Sequence, residues 1–196
     1  MPWGPRPLSP CAELVARVAA GDRDALGLVY RAEAGEIYRF ALAMCGNPAW
    51  SADATQDAFI ELAEGAGAYD PARGPLRAWL CGIARHRLLA RWRESVPSLE
   101  FDVADDDEAH ERNGDTHVPA PEVELARSQD TAALWRAIRE LPLGFREAIV
   151  LVDLQERPYA EAAQIAGVEL NTLRTRVHRG RQRLAQALAP AMKALT

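Results

Sequence analysis

The sequence predicts an all-α protein in which two small helical domains are joined by a flexible acidic linker. Apolar residues recur every three or four positions on both sides of a central segment, which is the period of amphipathic helices. The central segment, residues 95–130, instead holds eleven acidic and two basic side chains together with prolines, and it lacks apolar periodicity. High charge with few apolar residues is typical of a disordered tether. We therefore divide the chain into a tail at 1–10, a domain at 11–94, a linker at 95–126, a second domain at 127–190 and a tail at 191–196.

Composition narrows the class of protein. The chain has 196 residues, of which 48% are hydrophobic, and this fits a globular, helix-rich protein. Cys11, Cys45 and Cys81 form no Cys-x-x-Cys pair, so neither a disulfide framework nor a zinc site is indicated. The first residues are rich in proline, and no apolar run is long enough to span a bilayer. We expect a soluble protein of the reducing cytoplasm.

The first domain begins with amphipathic helices over 11–45, where apolar residues lie three and four apart. Asn47 and Pro48 then break the chain, and Ser51 is predicted to cap the next helix. A loop rich in glycine follows at 65–74 and separates this helix from a fourth.

The fourth helix combines an apolar stripe with unusual charge. Leu76, Trp79, Leu80 and Ile83 stand at positions i, i+3, i+4 and i+7, which predicts burial against neighbouring helices. From Arg73 to Arg93 the chain has six arginines and no acid. A solvated surface helix would interleave glutamates for pairing within the helix. These arginines are therefore expected to be unpaired and to face a polyanion.

The second domain is predicted to hold four helices. They are expected at about 127–140, 143–155, 158–166 and 170–189. A glycine turn at Gly167 separates a short alanine-rich helix from a longer basic one. This arrangement is typical of a helix-turn-helix, whose second helix enters the major groove of DNA.

A helical wheel divides the basic helix into a core face and a polar face. The core face carries Leu170, Leu173, Val177, Leu184 and Leu188. Gly180 lies on the same face, where it allows a bulky neighbour to come close. The opposite strip consists of Asn171, Thr175, His178 and Gln182. Arg174 and Arg181 flank it on one side, and Arg176, Arg179 and Arg183 on the other. Uncharged hydrogen-bonding groups between two basic shoulders suit a helix that lies between two phosphate backbones.

With both domains in view, the chain resembles a bacterial sigma factor of the extracytoplasmic-function (ECF) group of the sigma-70 family, which keeps only sigma regions 2 and 4. The resemblance covers about Glu13–Glu94 and Arg127–Leu188. It depends on "SADATQDAF" for region 2.2, on "LRAWLCGIARHRLLARWR" for regions 2.3 and 2.4, and on "LPLGFREAIVLVDLQERPYAEAAQIAGVELNTLRTRVHRGRQRL" for region 4.

The resemblance implies three binding surfaces. The β′ coiled coil of core RNA polymerase would be bound by Asp53, Gln56, Asp57 and Phe59. The minus-ten element would be captured and melted by the loop at 68–75 and by Arg73, Arg77, Trp79, Arg85, His86, Arg91 and Arg93, with a flipped base held in the loop. The minus-thirty-five element would be read by Asn171, Thr172, Arg174, Thr175, Arg176, His178, Arg179 and Arg183. Region 4 would also meet the β flap.

Three positions depart from the pattern of the family. Ala52 stands where an acid is usual, but Asp53 and Asp57 remain for polymerase binding. Asn171 replaces a common glycine and can still cap a helix. His86 replaces a common asparagine beside the predicted minus-ten reader, which leaves the preferred minus-ten sequence open.

The resemblance also implies partners and regulation. An anti-sigma factor is expected to cover the same surfaces, and it could hold the protein at the inner membrane. The linker would thread the active-site and RNA-exit channels of the polymerase, where the acids from Asp105 to Glu108 would imitate RNA. No cofactor, metal or small-molecule substrate is expected, since His178 shows no ligand spacing with the other histidines.

Two other functions compete with this one. The first is a helix-turn-helix regulator that acts without polymerase core, which explains the second domain but not the motif around Asp53. The second is a helical enzyme, for which the sequence shows no constellation of catalytic acid, base, nucleophile or metal ligands. Co-elution with core polymerase separates the sigma factor from the regulator.

Overall fold

A computed structural model of the chain describes residues 10–95 and 127–193, and all regular structure within these ranges is helical. The predicted all-α fold is confirmed. The helices are α1 (Pro10–Ala19), α2 (Arg23–Cys45), α3 (Pro48–Gly65), α4 (Leu76–Ser95), α5 (Arg127–Glu140), α6 (Leu143–Ile149), α7 (Tyr159–Ala166) and α8 (Leu170–Lys193), with a 3₁₀ turn at Ala66–Ala68 and a π turn at Val150–Leu154. The linker at 95–126, for which disorder and mimicry of RNA are predicted, lies outside the described residues except for Ser95. Of the predicted tails, the structure describes Pro10, which begins α1, and residues 191–193, which end α8.

The break between α2 and α3 shows which residue caps the third helix. Gly46 ends α2 in the left-handed conformation, with a φ of 67°. The side chain of Asn47 then accepts hydrogen bonds from the backbone N–H groups of Ala49 and Trp50, at 3.0 and 3.2 Å. The prediction that Ser51 is the cap is wrong, because Pro48 starts the helix earlier at a position where no N–H is needed. Ser51 is buried and donates to the Asn47 carbonyl at 2.7 Å.

Helices α1 to α4 bury the apolar stripes that the sequence predicts. Leu76, Leu80 and Ile83 are buried and Trp79 is half-buried, so the stripe of α4 is confirmed. The stripe packs on α2 and α3, which contribute apolar side chains such as Phe40 to the same core.

Helices α5 to α8 form the second unit, and all four predicted helices are confirmed with shifts of a few residues at their ends. Helix α6 runs directly into the π turn, and Glu156 then reverses the chain with a φ of 52°. Gly167 takes the left-handed conformation at the end of α7, with a φ of 67°, and its N–H bonds the Ala163 and Gln164 carbonyls. This turn sets the angle at which α8 leaves α7, as in a helix-turn-helix.

The two units pack directly against each other. Helix α4 of the first unit lies on α7 of the second, and α2 touches α5 and the π turn. Buried apolar residues form one continuous cluster that runs through both units, from Val15 in α1 to Val177 in α8. The residues predicted to meet the two promoter elements are therefore close together.

Candidate nucleic-acid and polymerase interface

Helix α8 presents its faces as the wheel predicts. Leu173 and Val177 are buried, and the leucines at both ends of the stripe are half-buried. The polar residues that the structure exposes are Asn171, Arg174, Thr175, His178, Arg181, Gln182 and Arg183. Thr172, Arg176 and Arg179 are half-buried. The predicted recognition strip is therefore available to a ligand along most of its length.

Gly180 of α8 lies close against α6. A Cβ built on Gly180 would lie 2.8 Å from Cγ1 of Ile149, which is closer than real Cβ atoms come to a neighbour. The expectation that glycine here admits a bulky side chain is confirmed, and Ile149 is that side chain. This contact fixes the depth at which α8 sits on the domain.

Several arginines of α8 are held by neighbours in the same unit. Asp153 accepts two hydrogen bonds from Arg181, at 2.6 and 3.1 Å, and this pair raises the pKa of the guanidinium. The guanidinium of Arg183 lies 5.2 Å from the ring centre of Phe145, a distance suited to a cation–π contact. One arginine of each basic shoulder is thus held by a neighbouring side chain.

The first turn of α8 differs from the prediction. The helix begins at Leu170, so Asn171 lies inside it and is not the cap residue. The Asn171 side chain instead accepts a hydrogen bond from Arg174 at 3.3 Å, and its carbonyl accepts one from Thr175 at 3.0 Å. Asn171 therefore orients the first arginine of the strip.

The acidic face of α3, predicted to bind polymerase, lies beside arginines of α4. Asp53 accepts a hydrogen bond of 2.6 Å from Arg91, whose guanidinium lies 5.0 Å from the ring centre of Trp50. Arg87 reaches Asp57 at 3.8 Å and a further acid of α3, Glu61, at 3.2 Å. The predicted polymerase surface on α3 therefore adjoins the predicted DNA surface on α4, and acids of α3 pair with arginines of α4 where the two surfaces meet.

The expectation that the arginines of this region are unpaired is therefore wrong for four of them. Arg77, Arg85, Arg87 and Arg91 each pair with a carboxylate on another helix. Counting acids within the helix could not reveal these partners, because they lie 26 to 62 residues away in the sequence.

Phe59 does not lie on the predicted polymerase face. Its side chain is buried, and its ring meets that of Tyr30 edge to face with centroids 4.8 Å apart. Asp53, Gln56 and Asp57 are at least partly exposed. The large apolar side chain that α3 exposes to solvent is that of the neighbouring Ile60. Phe59 therefore supports the face from beneath.

The loop before α4 has a defined shape. The Tyr69 hydroxyl donates to the Gly74 carbonyl at 3.0 Å, and the Asp70 carboxylate accepts from the Ala72 N–H at 2.9 Å. The Tyr69 ring lies 6.0 Å from that of Trp79, which anchors the loop to α4. These contacts, which the sequence did not reveal, give the predicted minus-ten loop a defined turn.

The second unit covers part of the predicted minus-ten surface. Glu147 of α6 accepts two hydrogen bonds from Arg85 of α4, the longer at 3.2 Å, and the exposed fractions of the two side chains are only 3% and 17%. Gln164 of α7 donates to the Arg73 carbonyl in the loop. No sequence pattern indicated Gln164, and Glu147 lies 62 residues from Arg85 along the chain.

The remaining predicted minus-ten residues lie on other sides of α4. Arg77 pairs with Glu33 of α2 at 2.5 Å. Arg93 is exposed at the far end of the helix. His86 is also exposed and lines a cavity of about 340 Å³ with Glu61 and Arg87. The predicted minus-ten residues thus lie on several sides of α4. Among them, Arg85 pairs with a carboxylate of the second unit.

Burial raises the pKa of Glu147, and the favourable contacts with Arg85 and then Arg176 only partly offset this effect. Removing a carboxylate from water is costly, and the charged form is tolerated here because Arg85 accompanies it. The Glu147 carboxylate thus interacts favourably with two arginines. Arg85 is predicted to meet the minus-ten element, and Arg176 is predicted to meet the minus-thirty-five element.

Two arginines of the second unit, Arg146 and Arg157, donate hydrogen bonds to the first unit. Arg157 pairs with Glu161 and donates to Sγ of Cys81 at 3.3 Å, and burial raises the pKa of that thiol to about 12. Arg146 donates to the Met44 carbonyl at 3.0 Å, and burial lowers its pKa to about 10. Beside Arg157 lies a cavity of about 500 Å³ lined from both units.

Within 10–95 and 127–193, no group of three or more His, Cys, Asp or Glu side chains is arranged to hold a metal ion. In the same part of the chain, no helix is both long and apolar enough to cross a membrane.

The comparisons with known proteins match this division into two helical units. Residues 29–96 match the family model for sigma-70 region 2, and residues 131–184 match that for sigma-70 region 4. The ECF RNA polymerase sigma factor SigM of Mycobacterium tuberculosis is 31% identical over 90% of this chain and 84% of its own length. The chain belongs to the ECF sigma factors of the sigma-70 family. The SigE factor of Mycolicibacterium smegmatis is 33% identical over 87% of the chain.

The chain spans 65% of the length of SigE, so the match leaves about a third of that relative uncovered. Among solved structures, CnrH in complex with the cytosolic domain of CnrY has a TM-score of 0.68 and 21% identity, covering 93% of this chain and 99% of CnrH. The sigma factor RpoE in complex with the anti-sigma factor NepR, from Bartonella quintana, has a TM-score of 0.62 and 24% identity, covering 83% of this chain and 96% of RpoE. Both likenesses support the same helical fold.

Proposed function

We propose that this ECF sigma factor binds core RNA polymerase and directs it to promoters that carry a minus-ten and a minus-thirty-five element. The observation that carries the proposal is that α8 presents an uncharged strip between arginine shoulders on a domain that matches sigma-70 region 4. Such a surface suits base reading in the major groove. The match to region 2 extends the proposal from DNA binding alone to polymerase binding.

Each surface has a proposed role. The exposed acids of α3, with Gln56, would meet the β′ coiled coil, and region 4 would meet the β flap. The loop at 68–75 and the basic side of α4 would capture the melted minus-ten strand. Asn171, Thr172, Arg174, Thr175, Arg176, His178, Arg179 and Arg183 would meet the minus-thirty-five duplex, partly through bases and partly through phosphates. The domain division stated from the sequence is proposed with the same boundaries.

An anti-sigma factor is the proposed regulator, and the cytoplasm is the proposed site of action. Support comes from the solved relative RpoE, which was crystallised with the anti-sigma factor NepR. A membrane-bound anti-sigma factor would hold the chain at the inner membrane.

The experiment that tests the function is transcription by core polymerase with and without the full chain, followed by sequencing of the transcripts. We expect co-elution with core and transcript starts that share two upstream motifs. A regulator that acts without core would bind DNA, but it would neither co-elute nor change the start sites.

A further inference from the structure

The first arginine of α8 is held by a neutral side chain of the same helix. Nη1 of Arg174 donates a hydrogen bond to Oδ1 of Asn171 at 3.3 Å, and both side chains are exposed. The two residues are three positions apart, so they are neighbours on the helix surface. A glycine, which is common at position 171 in the family, has no side chain to accept this bond. The contact therefore comes from the asparagine that this chain has instead.

The position of Asn171 on the helix decides where the guanidinium of Arg174 lies. Asn171 belongs to the uncharged strip that suits base edges, whereas Arg174 and Arg181 form the shoulder beside that strip. The hydrogen bond therefore draws Arg174 toward the strip. Arg181 is instead drawn toward Asp153 of the π turn, to which it donates at 2.6 and 3.1 Å. Of these two arginines, Arg174 is the one held beside the uncharged strip.

The hydrogen bond to Asn171 leaves one edge of the Arg174 guanidinium available. Nε and Nη2 carry two parallel N–H groups, and neither donates a hydrogen bond within the part of the chain that the structure describes. At Arg85 and Arg181 the same edge binds both oxygens of a carboxylate. Two parallel donors also match the O6 and N7 acceptors that guanine presents in the major groove. The free edge of Arg174 is therefore suited to a guanine.

A neutral amide suits this role better than a carboxylate. A carboxylate at position 171 would offset the charge of Arg174 and would repel the phosphates on both sides of the groove. The amide oxygen accepts the hydrogen bond and leaves the positive charge of the guanidinium to attract DNA. An arginine that is ordered before binding also loses less conformational entropy when it meets a base. Asn171 thus orders Arg174 without weakening its attraction for the ligand.

We propose that Asn171 is a positioning residue that holds Arg174 beside the uncharged strip, so that this chain selects a guanine at one base pair of the minus-thirty-five element. This inference rests on the proposed function, because it assigns a base to one arginine of the proposed minus-thirty-five surface. Asn171 acts on the preference through Arg174 and not by reading a base itself. It strengthens the preference for guanine about three- to tenfold, the range for one long side chain that is ordered in advance.

The test uses holoenzyme assembled from core polymerase and the full chain, with a pool of promoters randomised over the minus-thirty-five element. The promoters that bind are sequenced for the wild type, Asn171→Ala, Arg174→Ala and the double variant. Arg174→Ala should abolish a guanine preference at one base pair, and Asn171→Ala should weaken it about three- to tenfold at the same base pair. The double variant should equal Arg174→Ala, and preferences at the other base pairs should stay unchanged.

Two further variants separate positioning from a structural effect. Asn171→Asp keeps an acceptor for Arg174, so it should keep the guanine preference while lowering the affinity for every promoter, because its charge repels the phosphates. Gln186→Ala removes an exposed amide further along α8 and should leave the preference unchanged. Alanine is a better helix former than asparagine, so loss of the preference in Asn171→Ala does not reflect an unfolded helix.

An unchanged guanine preference in Asn171→Ala would overturn the proposal. A change at a base pair that Arg174→Ala leaves alone, or an effect of Asn171→Ala that persists without Arg174, would also overturn it, because Asn171 would then act independently. Equal losses on all promoters for both single variants would do the same, since Arg174 would then meet phosphate. Each of these results leaves the proposed function standing. A wild-type holoenzyme that selects no minus-thirty-five motif would instead contradict the proposed function, and this inference with it.

Discussion

Arg91 of α4 and Asp53 of α3 form an ion pair of 2.6 Å that joins the predicted DNA surface to the predicted polymerase surface. Both side chains are about half exposed, and Arg91 also lies over Trp50. An exposed pair of this kind contributes about 0.2 to 1 kcal/mol to stability. Its charges therefore remain available to a partner, and loss of Asp53 should leave the fold intact.

Asp53→Ala should weaken binding to core polymerase at least tenfold and lower the free energy of unfolding by less than about 1 kcal/mol, because the carboxylate lies at the surface. Fluorescence anisotropy with labelled protein measures the affinity, and urea denaturation measures the stability. Glu64→Ala, at an exposed position near the other end of α3, is the control. An equal loss of affinity in both variants would show that only the overall charge of the helix matters.

Gly180→Ala should destabilise region 4 by about 1 to 3 kcal/mol, although alanine is the better helix former. The added methyl group would lie 2.8 Å from Ile149 and must displace it. In an Ile149→Ala background the same change should be neutral or stabilising, since the obstructing atoms are gone. Urea denaturation of the four chains gives this comparison. A loss of stability that persists without Ile149 would assign the effect to the helix backbone.

The sequence predicted what depends on local pattern. The period of the apolar residues located the eight helices, and the wheel of α8 identified Leu173, Val177 and Gly180 on the buried face. The cap of α3 was misassigned to Ser51 because two capping residues stand close together, and Pro48 at the first helical position decides between them.

What the sequence could not predict depends on tertiary contact. The arginines of α4 were expected to lack partners because the chain holds no acid between Arg73 and Arg93. Glu147 pairs with Arg85 across 62 residues, and nothing in the stretch around either residue indicates the other. Phe59 was placed on the surface by its position in a family motif, whereas its burial follows from packing against Tyr30. Which of the predicted site residues are exposed and which are covered could be seen only from the fold.

Arg174→Ala should cost about 1 to 3 kcal/mol of DNA binding, and the loss should vary with the minus-thirty-five sequence, if Arg174 reads bases. Arg183→Ala should weaken binding by a similar factor on all sequences and lower the salt slope by about one, if Arg183 meets phosphate. Binding of a set of duplexes at several salt concentrations measures both effects. A loss independent of sequence for both variants would contradict this division of roles.

Asp153→Asn should strengthen binding to duplex DNA and steepen its salt dependence. Asp153 now pairs with Arg181 at the edge of the recognition helix, so the variant frees one cation for phosphate. One added phosphate contact changes the salt slope by about 0.9. Titrations of one duplex with wild type and variant at several salt concentrations provide the test. An unchanged slope would place Arg181 outside the reach of the DNA backbone.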